Sequence, residues 1–128
     1  MAKGNLKKII EQTVYEALGI LRVSGVSVEV YLASDEAIHA LNLTWRKKDK
    51  PTNVLSFESP KGVPHPETNL RPIGEIYLAP EYITNHNEDI KKILIHGLLH
   101  LLGYDHIKSS DAKKMERVEE AIFKKMGL

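Results

Sequence analysis

The chain contains no cysteine, which excludes disulfide cross-links, thiolate metal sites and a cysteine nucleophile and suits a reducing compartment. It carries little net charge. Lys and Arg number 18 against 17 Asp and Glu, a formal +1, so bulk charge argues neither for nor against a nucleic-acid partner, and any electrostatic case rests on local clusters. Long hydrophobic runs are also missing. The most apolar stretch, 93–104, includes His96 and His100 and is too short to cross a bilayer, so no membrane association is expected. Lys3, Lys7, Lys8 and Glu11 interrupt the N-terminal segment where a signal sequence needs apolar continuity, and a cytoplasmic location is expected. The 128 residues suit one compact domain over 1–128, with a core that needs no cross-links.

What is present is periodic. Leu6, Ile9, Ile10, Val14, Ala17, Leu18 and Leu21 recur at helical spacing, predicting an amphipathic helix, with Gly19 near its end. Val26, Val28, Val30 and Leu32 alternate with Ser27, Glu29 and Tyr31, the period of a strand with one buried face. Ser34 is placed to cap a second helix whose inner side is Ile38, Leu41 and Trp45. Val54, Leu55 and Phe57 predict a short strand. Pro60, Gly62, Pro64, Pro66 and Pro72 predict a loop over 60–72. Residues 73–78 predict another strand, ended by Pro80. Ile90, Ile93, Leu94, Gly97, Leu98 and Leu101 form a broad apolar helical face, with Gly103 placed to close that helix in a left-handed C-cap. Ser110 is expected to cap a last helix whose inner face is Met115, Val118 and Ile122. The expected class is α+β, a small mixed sheet packed with helices and a metal-binding helix near the C-terminus.

The chemistry concentrates in 96–106. His96 and His100 are four apart on the expected helix, so both imidazoles project from one face. Gly103 then breaks the helix and lets the chain bring His106 back toward the same point. Such a set of three nitrogens suits a single tetrahedral ion and leaves a fourth position open, the pattern of a catalytic rather than a structural site. Zinc is the expected metal, although imidazole also suits copper, nickel and iron. His39, His65 and His86 have no such spacing and are expected at surface or loop positions.

The motif is close to the extended zinc-peptidase signature, but those enzymes place a general-base glutamate directly after the first histidine. Here that position is Gly97. Asp105 is the nearest acid, a candidate either for acid–base work or for orienting a ligand histidine.

Arg46 opens a second informative stretch with Lys47, Lys48 and Lys50. Its guanidinium fork can clamp a phosphate. Leu41-Asn42, Arg46 and the run Thr52-Asn53-Val54-Leu55-Ser56-Phe57, followed by Gly74-Glu75-Ile76 and the histidine motif from His96 to His106, together resemble the YbeY family of bacterial ribosomal-RNA maturation endoribonucleases. Order and spacing agree over most of the chain. The sequence departs from the family pattern at Asn53, where aspartate is usual, and at Glu75, where aspartate is common. Asn53 cannot act as a base.

The resemblance implies one zinc ion on His96, His100 and His106, with Arg46 as a functional residue at the metal cleft. It also implies metal-dependent cleavage of single-stranded RNA in small-subunit rRNA processing and ribosome quality control. Ribosomal RNA, the small ribosomal subunit and assembly factors would be the partners. Two other readings stay open: a zinc-dependent peptidase, and a non-catalytic ribosome-assembly factor with a structural metal.

Overall fold

A computed structural model describes residues 3–60, 69–104 and 109–128. Among them the order of elements is α1 (Lys3–Leu21), β1 (Val26–Leu32), α2 (Asp35–Arg46), β2 (Val54–Glu58), β3 (Arg71–Leu78), α3 (Pro80–Asn85), α4 (Ile90–Leu101) and α5 (Ser109–Met126). The three strands form one mixed sheet in the order β1-β3-β2. β1 runs parallel to β3, and β2 runs antiparallel to it. This is the expected α+β class.

The two faces of the sheet are dressed differently. Ile73, Ile76 and Leu78 of β3 join Leu94, Ile95, Leu98 and Leu99 of α4, with Ile10 and Ala17 of α1 and Met115 and Ile122 of α5, in the main core. On the opposite face, Ile38 of α2 packs with Leu55 and Ala79 in a smaller cluster. α4 thus lies between the sheet and the helices α1 and α5, with one side on strands β2 and β3.

Strict alternation fails in β3, where Ile73, Ile76 and Leu78 all serve the same core. The register against β1 slips between Ser27 and Val28, whose partners are Pro72 and Gly74. That bulge inserts Ile73 and resets the phase of the strand. Gly74 allows it: φ there is +150°, and a Cβ would overlap the Phe57 carbonyl oxygen and come within 2.7 Å of Leu101.

Local signals account for the helix ends. The Ser34 hydroxyl oxygen accepts from the Ala37 N–H at 3.1 Å, the expected N-cap. At the end of α4, the Gly103 N–H donates to the His100 carbonyl at 3.1 Å and the Tyr104 N–H to the Leu99 carbonyl at 3.0 Å, with Gly103 at φ +97°. These paired bonds are a Schellman motif.

Several expectations need correction. Trp45 is not on the inner side of α2: it is 65 % exposed, because the last turn of the helix extends past the cluster that Ile38 anchors. Leu32 is 39 % exposed and β1 only half-buried along its inner side, since β1 is an edge strand. Pro72 belongs to β3 rather than to the preceding loop, tolerated beside the bulge. Pro80 ends one element and begins another, standing in the first turn of α3, where its missing N–H costs nothing. Ser110 lies inside the first turn of α5, which starts at Ser109. Most of the expected Pro-rich loop, 61–68, including His65, lies outside the described residues.

Candidate metal centre

α4 presents His96 and His100 one turn apart, and their Nε2 atoms face each other at 3.1 Å with the rings edge to face. Two nitrogens bound to one tetrahedral zinc, each at 2.0–2.1 Å, would be separated by roughly 3.3 Å. The pair is therefore arranged as two ligands of one ion would be.

The other nitrogen of His96 supports the fit. Its Nδ1 lies 2.9 Å from Oε2 of Glu119 on α5. An ionised carboxylate only accepts, so Nδ1 carries a proton, and in a neutral ring that leaves the lone pair on Nε2. A carboxylate holding a histidine in its ligating tautomer recurs behind protein zinc sites. Glu119 is brought there by the buried stripe of α5, where it falls between Met115 and Ile122. Its only trace in the sequence is an acid interrupting an apolar stripe, in a helix that also carries Glu116 and Glu120.

His106 and Asp105 lie outside the described residues. Among the described residues, no group of three or more His, Cys, Asp or Glu is gathered around one point.

Gly97 is where α4 touches the sheet. A Cβ there would stand 2.9 Å from Ser56 Oγ, 3.3 Å from Val54 Cγ2 and 3.4 Å from Ile76 Cγ2. The Ser56 hydroxyl donates to the Gly97 carbonyl at 3.2 Å. The position that bears glutamate in the zinc peptidases is thus pressed against β2 and β3, where even a Cβ would crowd Ser56 Oγ.

Arg46 reaches the same strand from the other side. Its Nη2 donates to the Ser56 carbonyl at 2.7 Å, and its guanidinium lies 5.0 Å from the centre of the Phe57 ring. Ser56 therefore links Arg46 to Gly97, the neighbour of His96. Asn42, buried beneath the basic turn, organises that turn. Its carbonyl accepts from the Lys48 N–H at 3.2 Å and its side-chain amide donates to the Lys50 carbonyl at 2.9 Å. Asn53 donates from its side chain to the Glu88 carboxylate at 3.2 Å, a structural link between β2 and the approach to α4. His39 pairs with Asp49 at 2.7 Å, and His86 stacks on Tyr82. Neither belongs to the centre.

The chain is similar to known proteins over most of its length. A family described as endoribonuclease YbeY matches residues 1–127. The chain belongs to the endoribonuclease YbeY family. The endoribonuclease YbeY of Myxococcus xanthus is 43 % identical over 84 % of this chain and 39 % of its own length. That of Nitrobacter hamburgensis is 36 % identical over 99 % of this chain and 73 % of its own length, and that of Persephonella marina 36 % identical over 91 % and 81 %. A solution structure of a Thermotoga maritima protein superposes with a TM-score of 0.56 at 30 % identity, covering 98 % of this chain and 87 % of the other. The YbeY family is named for a nuclease, a hydrolase of RNA phosphodiester bonds. Among the described residues, no helix is long and apolar enough to cross a membrane.

Proposed function

We propose that this YbeY-family chain is a zinc-dependent endoribonuclease specific for single strands, acting in the cytoplasm on ribosomal RNA with the small ribosomal subunit and its assembly factors. The observation that carries the metal part is the convergence of His96 and His100 Nε2, with Glu119 behind His96. His106 supplies the third nitrogen in this reading, and Asp105 helps hold a ligand histidine. When bound, the ion supplies Lewis acidity at the phosphodiester.

The chain's own groups do the rest. Glu119 keeps the His96 proton on Nδ1. Arg46 commits one donor to the Ser56 carbonyl, which aims its remaining N–H groups, and those bind the scissile phosphate and the negative charge that grows on it. Lys47, Lys48 and Lys50, all exposed beside it, draw the RNA backbone toward the site.

The test is cleavage of single-stranded and duplex RNA by highly purified protein. Chelation is expected to abolish cleavage and zinc to restore it. Arg46→Ala is expected to lower kcat by about 10²-fold or more without changing the far-UV circular dichroism. Unchanged cleavage by Arg46→Ala, or full activity in excess chelator, overturns the reading. The peptidase alternative is disfavoured by Gly97, which has no side chain to act as base and is packed against Ser56 and Val54.

A further inference from the structure

On the sheet face opposite α4, Trp45, Phe57, Tyr77 and Tyr31 form a continuous row of rings from α2 across β2 and β3 to β1. Successive ring centres are 6.3, 5.8 and 5.2 Å apart. α2 covers only the part of this face around Leu55 and Ala79. The row ends in water at both sides, with Trp45 65 % and Tyr31 42 % exposed.

The charges around the row are not symmetric. At the Trp45 end the Arg46 guanidinium lies over Phe57, and Lys47, Lys48 and Lys50 stand exposed on the adjoining turn. At the far end the hydroxyls of Tyr31 and Tyr77 donate to the carboxylates of Glu29 and Glu75. Phe57 and Tyr77 meet edge to face, Tyr31 stacks on Tyr77 and Arg46 covers Phe57, so a ligand suited to this surface offers a flat face to Trp45 and negative charge to the basic end only. Single-stranded RNA has both features: unpaired bases stack on aromatic rings and guanidinium planes while phosphates seek cations. A duplex has its base faces already covered.

The geometry points to a base-stacking subsite for single-stranded RNA on Trp45, at the end of the ring row and beside the basic turn that carries Arg46. The glutamates at the Tyr31 end repel phosphates and so keep the strand at the basic end. Because Arg46 belongs both to this row and, through Ser56, to the neighbourhood of His96, a nucleotide seated on Trp45 flanks a phosphate held at Arg46. This deepens the nuclease reading and rests on it for the identity of the polymer.

Trp45 is the sole tryptophan of the chain, so its emission reports the contact directly. The wild-type protein is titrated, in chelator to prevent cleavage, with a short oligoribonucleotide and with the same sequence as a duplex. Stacking is expected to quench Trp45 with the single strand and not with the duplex. Anisotropy of labelled single-stranded RNA gives the affinities of variants: Trp45→Ala is expected to weaken binding about tenfold, and Trp45→Phe, which retains a ring, by much less. An unquenched Trp45 at saturation, equal quenching by the duplex, or wild-type affinity in Trp45→Ala overturns the subsite. Cleavage is measured separately with zinc. Quenching without cleavage sinks the nuclease reading and leaves the subsite standing; cleavage without quenching does the reverse.

Discussion

Glu119 and His96, 23 residues apart on different helices, meet through a 2.9 Å contact between a carboxylate oxygen and Nδ1. The side chains are 16 % and 36 % exposed, so the contact sits at the edge of the core, where packing holds α5 against α4 while the other ring nitrogen meets His100 Nε2. Orientation of the ring is thereby tied to the burial of Met115 and Ile122, which carry Glu119 between them.

Removing that carboxylate should release the ring. Glu119→Ala is expected to lower zinc affinity by about 10- to 100-fold. Glu119→Gln, whose amide oxygen still accepts from Nδ1–H, should lose less. Competition titration against a chromophoric chelator measures both. Equal zinc affinity in wild type and Glu119→Ala would show that the contact does not orient a ligand.

Contact between α4 and the sheet should be equally sensitive at Gly97. Alanine there would gain about 1 kcal/mol of helix propensity, but its Cβ would displace Ser56 Oγ from 2.9 Å and break the Ser56 bond to the Gly97 carbonyl, at about 1–3 kcal/mol for an overpacked site. A net loss of about 1 kcal/mol is expected in urea unfolding. Gly97→Glu, the peptidase residue, should be far more destabilising and should create no peptidase activity. Neutral or stabilising Gly97→Ala would mean that α4 shifts freely on β2.

The tyrosine pair makes a prediction about alkaline pH. Tyr31 is pushed up to about 12, chiefly because its hydroxyl donates to Glu29, with desolvation and the nearby charges of Glu29 and Glu75 adding to the effect. Tyr77 is raised for the same kind of reason, its hydrogen bond to Glu75 first. In the unfolded chain a tyrosine ionises near pH 10. The folded state therefore holds these protons more tightly, and their contribution is complete below about pH 10 and lost as pH rises through the raised folded values, about 12 for Tyr31. Spectrophotometric titration of phenolate absorbance should show a late step that moves down in Glu29→Gln. A Tyr31 step at the ordinary value in wild type would remove the basis for this linkage.

Sequence by itself determined what depends on near neighbours. The period of α1 and α4, the Ser34 cap, the Gly103 closure and the i, i+4 placement of His96 and His100 all follow from interactions within a few residues of one another, and the structure contains each of them. The family motif was equally legible, because order and spacing are properties of the string. Tertiary structure decided what depends on distant partners. Glu119 was one acid among several until α5 packed on α4. Gly97 was only a missing base until Ser56, 41 residues away, was found against it. Trp45 had the spacing of a core residue, but burial is set by how far the sheet and its cover extend, and α2 outruns them. Helical period fixes which side of a helix a residue occupies; only the packing of other elements determines whether anything lies there to meet it.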